Sequence, residues 1–367
     1  MECCYFGQCG SCTLHALSYE EQINYKQKNI SALFESLHVK EFECFTCKDS
    51  HYRSRAEFRI WHDEGHISYA LGGVTKKQTL CIEECPKVDE KIYTLMKPLR
   101  KEIEKNTMLK ERLFAIEFLT TDKDVLVTMI YHKPLTATWD DAAKPLEAMF
   151  DIHLIGRSHK VQRVLSQDFV QECVVVDGKP YNYQIIEGGF SQPNRAMNTH
   201  MINWVYQHVE KCVDLLELYC GYGNFTIPLS QKFQKVLATE ISKSSIKSAL
   251  KNCELNDIKH IEFLRMSAEE LTSALKKERE FNRLKGLDLD AYTFSHVFVD
   301  PPRSGMDAQS LAFISQFEII IYISCNPVTL KRDLDVLTQS YTIEHFALFD
   351  QFPHTEHIES GVILKRI

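Results

Sequence analysis

The chain has 367 residues and a net charge of -7, with 44% apolar and 25% charged residues. That length exceeds a single small core and predicts two domains, or three. An acidic balance with pI near 6.1 excludes a protein that coats nucleic acid by bulk charge, although it is compatible with a local basic face. No apolar run approaches the roughly 20 residues of a membrane span, and no basic segment leads into an apolar one at the start. These features predict no membrane contact, no secretory signal and a cytoplasmic setting. Thirteen cysteines in such a chain are expected as reduced thiols or metal ligands rather than disulfides.

In chain order, residues 1–12 come first, with Cys3, Cys4, Cys9 and Cys12 spaced by Gly7 and Gly10. Thiolates on a small-residue loop suit zinc or an iron-sulfur cluster. The run Cys3-x5-Cys9-x2-Cys12 supplies three well-spaced ligands. Cys85 is the preferred fourth, with Cys4, Cys81, Cys44 and Cys47 as rivals.

Residues 13–40 follow. Ser18 and Glu20-Glu21 precede Ile23, Lys26, Ile30, Leu33, Phe34 and Leu37, which predicts a capped amphipathic helix that could pack on the catalytic domain.

Residues 41–185 read as an α+β unit. Strands are expected near 55–61, 66–72, 114–119, 125–131, 151–156 and 173–176, and helices near 87–104 and 140–149. Within it, His51 to His62 alternates arginine with apolar or aromatic residues, so one strand face would be basic and the other buried. Such a face fits RNA, through phosphate contacts and stacking, or a half-solvated strand. Lys97, Arg100, Lys101, Lys105, Lys110, Arg112, Arg157, His159, Lys160 and Arg163 could widen the patch or simply be solvated.

From 186 to 367 a loop, a helix over 196–211 and then alternating strands and helices predict a doubly wound parallel sheet. Leu215 to Phe225 is a strand entering a Gly221-x-Gly223 turn. The next strand ends at Glu240, placed to grip ribose hydroxyls. The residue three after Gly223 is Thr226 rather than glycine, which disfavours a pyrophosphate and fits S-adenosylmethionine better.

Two further strand ends carry reactive groups: Asp300 in Val299-Asp300-Pro301-Pro302-Arg303, and Cys325 in Ser324-Cys325-Asn326-Pro327. A lone strand cysteine is commonly core packing. Set beside Asp300 and a downstream Glu359, it suits methylation at C5 of a pyrimidine. Thiolate addition to C6 activates C5, and Glu359 can remove the C5 proton so that sulfur leaves. His354, His357 and Glu359 lack a fourth metal ligand nearby, so a metal there is disfavoured.

The stretches HYRSRAEFRIWH, FSQPNRAMN, LLELYCGYGNF, VLATEI, EFNRLKGLDL, FVDPPRSG, YISCNP and LFDQFPHTEHIE together resemble the RNA uracil-C5 methyltransferase family, and most of all its tRNA branch, which makes ribothymidine in the T loop. The resemblance implies a Rossmann-like S-adenosylmethionine methyltransferase domain joined to an α+β RNA-binding domain. It implies Cys325 as nucleophile and Glu359 as base. Gln192, Tyr219, Asn224, Glu240 and Asp300 would line the S-adenosylmethionine site, with Gln192 and Asp300 also near the uracil. The partner would be the tRNA T arm with its target base flipped out, uridine 54, and the enzyme a monomer without protein partners.

The cysteine segment departs from the tRNA branch. It is similar to the motif by which rRNA enzymes hold a [4Fe-4S] cluster, and Cys3, Cys9, Cys12 and Cys85 match those positions. Its distance from Cys325 in sequence suggests a purely structural role, and it leaves two alternatives. One is the same reaction on rRNA, disfavoured by EFNRLKGLDL and LFDQFP; the other is a non-catalytic RNA-binding or iron-sulfur sensor protein, disfavoured by the intact Cys325, Glu359 and Asp300.

Overall fold

The computed structural model describes every residue except Lys40 and Lys76, so the last position of the expected 13–40 segment lies outside the described residues. Seventeen strands occur among the described residues: β1 Glu43–Phe45, β2 Arg55–Asp63, β3 His66–Gly72, β4 Thr79–Ile82, β5 Leu113–Thr120, β6 Val125–Tyr131, β7 His153–Ser158, β8 Val161–Val164, β9 Phe169–Val176, β10 Lys179–Ile186, β11 Cys212–Leu218, β12 Phe233–Thr239, β13 Ile261–Leu264, β14 Phe294–Val299, β15 Ile319–Ser324, β16 Tyr341–Phe349 and β17 Glu359–Arg366.

They form an eight-stranded sheet ordered β1-β16-β17-β15-β14-β11-β12-β13, a seven-stranded sheet ordered β4-β3-β2-β5-β6-β7-β8, and the hairpin β9-β10. In the larger sheet β11 to β15 run parallel, while β17 is antiparallel to both β15 and β16. The chain steps from β11 to β12 and β13 on one side, then to β14 and β15 on the other. This reversal at β11 creates a crevice beyond the carboxyl ends of the strands, where open α/β sheets hold ligands.

Both faces of this sheet are apolar and covered. Leu215 packs with Met201 and Trp204 of the helix Arg195–His208, whereas Leu216 and Leu218 pack with Leu330 and Leu334 of the helix Pro327–Leu337. Near-continuous apolar strands such as Ile319–Ile323 are what a parallel sheet buried on both faces requires.

The expected helix near the start is Tyr19–Leu33. Ser18 caps it, accepting from Glu21 N while the Glu21 carboxylate accepts from Ser18 N. Its Ile30 and the following Phe34 pack against the eight-stranded sheet. It also buries Lys26, whose Nζ donates to Asp350 Oδ1 at 2.5 Å and to Phe352 O at 3.1 Å. A lysine at helical spacing is here an interior ion pair, with Tyr19 Oη donating to the same carboxylate at 2.8 Å.

The boundary at residue 41 differs from expectation. β1 pairs in parallel with β16, so residues 43–45 extend the eight-stranded sheet before the chain crosses to the smaller unit. Likewise the hairpin β9-β10 contributes Val174, Tyr181 and Tyr183 to the core around Trp204, which Leu119, Leu126 and Ile155 of the seven-stranded sheet also join. A three-residue strand carries too little periodicity to be recognised alone, and the hairpin's alternating pattern does not say which face will cover it.

The expected alternation along β2 holds. Ala56, Phe58 and Ile60 are buried, while Glu57, Arg59 and Trp61 face outward. Arg59 lies over the Phe114 ring, 5.4 Å from its centroid. Part of the wider patch is neutralised: Lys97 pairs with Glu83 (2.8 Å), Arg100 with Glu104 (3.1 Å), Lys105 with Glu102 (2.6 Å) and Arg163 with Asp140.

Candidate active site

One sheet edge gathers the reactive groups. Cys325 follows the end of β15, Asp300 follows the end of the adjacent β14, and Glu359 begins β17 on the other side of β15. Because β17 is antiparallel, its first residue lies at the same edge as the last residues of β14 and β15; Ser324 is directly opposite Ser360. Groups 25 and 34 residues from Cys325 in sequence thus become neighbours through strand order alone.

Asn326 fixes the turn after the cysteine. It caps the helix Pro327–Leu337, accepting from Val328 N at 3.1 Å, and its Nδ2 donates to Arg303 O at 3.0 Å. The turn carrying Cys325 is therefore tied to the Asp300-Pro301-Pro302-Arg303 loop. This link was legible as a strand stop but not as a brace.

Burial controls the electrostatics. Desolvation, with Asp300 as a like charge, pushes Glu359 up to about 8, and desolvation pushes Asp300 up to about 7. The Cys325 thiol is pushed up to about 11, first by desolvation and then by Glu359 and Asp300; the Arg303 guanidinium opposes them. Three acids sharing one buried rim resist ionising together. Glu217, wholly buried on β11, is likewise raised to about 8 by desolvation, and its Oε2 has no hydrogen-bond partner among the described residues.

The glycine turn fits an adenosine-type cofactor. Gly221 has φ 55° and Gly223 φ 86°, both left-handed, and a Cβ on Gly221 would meet no atom within 4 Å, leaving an open approach to backbone. Tyr219 adopts φ 63° without being glycine, a strained position of the kind that gathers at ligand sites. Glu240, just past the end of β12, accepts from Gly221 N (3.1 Å) and Ser242 N (2.8 Å), which locks the carboxylate beside the turn.

Gln192 is buried and its Oε1 accepts from Gln351 Nε2 at 2.6 Å. Asn224 is engaged differently from a free ligand contact: its amide exchanges two hydrogen bonds with Asn198 and accepts one from Tyr222 Oη. Gln351 and Asn198 lie in stretches that carry the family resemblance, but their partners are not legible there, since a buried amide gives no periodic pattern.

A cavity of about 640 Å³ opens onto the cysteine, lined by Arg53, Lys87, Arg303, Cys325, Phe352 and His357 among others. His354, by contrast, is structural. It takes φ 65° and its ring bonds Gln22 Nε2 (3.0 Å) and Asp49 O (3.0 Å).

Cys3, Cys9, Cys12 and Cys85 line one small cavity together with Tyr5 and Phe6. Burial raises the thiols of Cys3, Cys12 (to about 11) and Cys85, and as thiolates these groups would repel one another. Cys81, Cys44 and Cys47 do not line that cavity. Among the described residues no group of three or more His, Cys, Asp or Glu is drawn into a metal-ligating arrangement.

A family model described as tRNA (Uracil-5-)-methyltransferase matches residues 18–367. A Sulfurovum sp. protein named tRNA/tmRNA (uracil-C(5))-methyltransferase is 50% identical over 370 residues, covering all of both chains. One of the same name from Campylobacter concisus is 48% identical over 366 residues, covering 100% of this chain and 99% of its own. The crystal structure of Pyrococcus abyssi tRNA (uracil-54, C5)-methyltransferase in complex with S-adenosyl-L-homocysteine superposes with TM-score 0.74 at 21% identity. That match covers 96% of this chain and 85% of that one, and supports the same fold.

Proposed function

Because the chain belongs to the tRNA (uracil-5-)-methyltransferase family, we propose that it methylates C5 of a uridine in the tRNA T loop, uridine 54, using Cys325 as nucleophile and Glu359 as base. The observation that carries the mechanism is the single rim holding Cys325, Asp300 and Glu359 on adjacent strands.

Cys325 sulfur adds to C6 and the C5–C6 π electrons shift toward O4, making C5 nucleophilic. S-adenosylmethionine supplies the electrophilic methyl, and its positive charge favours ionised sulfur and carboxylate at this edge. Once C5 carries both methyl and hydrogen, Glu359 takes the proton. The electrons left at C5 rebuild the double bond and expel sulfur. A carboxyl held near 8 suits the task, since its conjugate base is stronger than an ordinary carboxylate. Tyr219, Glu240, Asp300, Gln192 and Asn224 would hold the donor. Glu240 and the open Gly221 turn argue for that role most directly, whereas Asn224 would act through backbone or after releasing Asn198.

The target base must leave its stack to reach the rim, and the outward face of β2 would grip the surrounding loop. Cys325→Ala should abolish both methyl transfer to tRNA and the covalent adduct with 5-fluorouridine RNA. A fully active variant would sink the proposal. The tRNA wording of the family match and of the relatives' names favours tRNA over rRNA, and methylation mapped on separate tRNA and rRNA transcripts decides between them.

We also propose that Cys3, Cys9, Cys12 and Cys85 hold a [4Fe-4S] cluster, supported by their shared cavity. Binding would draw the four thiolates inward. Protein purified without oxygen should be brown with about four irons per chain. Colourless protein with stoichiometric zinc would remove the iron-sulfur assignment.

A further inference from the structure

The cysteine segment is far from Cys325 in sequence, yet both border one cavity. Residues 8–10 lie along the β3–β4 turn: Cys9 forms a bridge with Gly73, Gly10 N donates to Gly72 O (3.0 Å) and Val74 N donates to Gln8 O (3.0 Å). A Cβ on Gly10 would stand 2.8 Å from Gly73 O, so the close fit requires glycine. The chain then turns so that Gly10, Ser11 and Thr13 line the cavity that contains Cys325.

Lys87 joins the two features. It follows Cys85 by two residues, its Nζ donates to Ser11 O at 3.4 Å, and its backbone O accepts from Arg53 N at 3.1 Å. The half-buried Lys87 thus presents its cation to the cavity beside Arg53 and Arg303. The lining also carries two carboxylates, the exposed Glu57 and Glu356, but among the described residues neither lies within ion-pair distance of these three cations. Lys97, elsewhere on the smaller unit, is instead paired with Glu83.

From this juxtaposition we infer that residues 10–13 and Lys87 form a wall of the substrate cleft that grips RNA phosphate next to the target nucleotide. The cysteine segment behind the wall then positions it against the RNA. The inference deepens the methyltransferase reading and rests on it for the identity of the strand bound. Its chemistry is that of a cation held in place against a polyanion, in a protein whose overall charge repels RNA.

The test is direct binding of a labelled T-arm hairpin, measured by anisotropy across a salt series on the full chain, and therefore independent of turnover. Lys87→Gln should weaken binding about tenfold at moderate salt and lower the slope of log affinity against log salt by about one. Lys87→Arg should restore both, and Lys97→Gln should change neither. Gly10→Ala, which pushes the wall off Gly73, should weaken binding while S-adenosylmethionine affinity stays unchanged. An unaltered slope and affinity in Lys87→Gln overturns the wall. Absence of methyl transfer by the wild type, with the Lys87 effect intact, overturns the methyltransferase reading instead.

Discussion

Two sites collect thiols in this molecule by opposite means. At the catalytic rim, Asp300, Cys325 and Glu359 arrive on three separate strands, and the order β17-β15-β14 makes them neighbours. At the amino terminus, Cys3, Cys9 and Cys12 are already neighbours in sequence, and only Cys85 is brought in by folding. In both places burial raises the thiols. The rim adds carboxylates that can exchange protons and the opposing guanidinium of Arg303, whereas the cysteine pocket offers further thiols with Lys87 nearby. A thiol becomes a proposed nucleophile by its neighbours, not by its own exposure.

The sharpest way to break this contrast is Glu359→Gln. Turnover should fall by about 10²–10⁴-fold while the covalent RNA adduct accumulates, because addition survives and elimination does not. The same change removes a negative group that holds the Cys325 thiol up. Alkylation of Cys325 by iodoacetamide, followed by mass spectrometry, should therefore reach half its maximal rate at lower pH in the variant than in the wild type. The sign follows from like charge: an ionised Glu359 disfavours thiolate, and an amide does not. An unmoved profile would detach Glu359 from the rim.

Next in size is the support beneath it. Lys26→Met leaves Asp350 buried without its cation and should cost about 3–5 kcal/mol in a denaturant titration. The loop from Asp350 to His354, which leads into Glu359, should loosen with it, and activity should drop even below the unfolding midpoint. The smallest expected effect is Gly361→Ala. A Cβ there would lie 2.7 Å from the Trp204 ring and 3.1 Å from Phe349. Overpacking of this kind costs about 1–3 kcal/mol, read as a lower unfolding midpoint with the adduct still able to form.

Much of the catalytic domain was legible because a parallel sheet writes itself as short apolar runs ending in turn residues. Ile319–Ile323 before Cys325-Asn326-Pro327 and Leu215–Leu218 before Gly221-x-Gly223 both folded as read. The smaller sheet's long strands were equally visible through alternation, as β2 illustrates. What was missed has a common cause. The four-residue β4 and β8 are too short to carry a periodic signal, and β1 and the buried amides Asn198 and Gln351 also have partners far away in sequence. The breadth of the basic patch was also misleading, because ion pairing depends on side chains that meet only in the fold.

The chemistry available is written in the chain: a thiol and two carboxylates at strand ends, a glycine turn followed by an acid, and a cysteine-rich start. These are local, because backbone geometry and strand length are set by neighbouring residues. Only the tertiary structure decided what each group would feel. Strand order put Glu359 beside Cys325, burial lifted both away from their ordinary acidities, and the β3–β4 turn carried the cysteine segment to the mouth of the catalytic cavity. Desolvation and proximity between distant residues are properties of packing, and no window along the chain contains them.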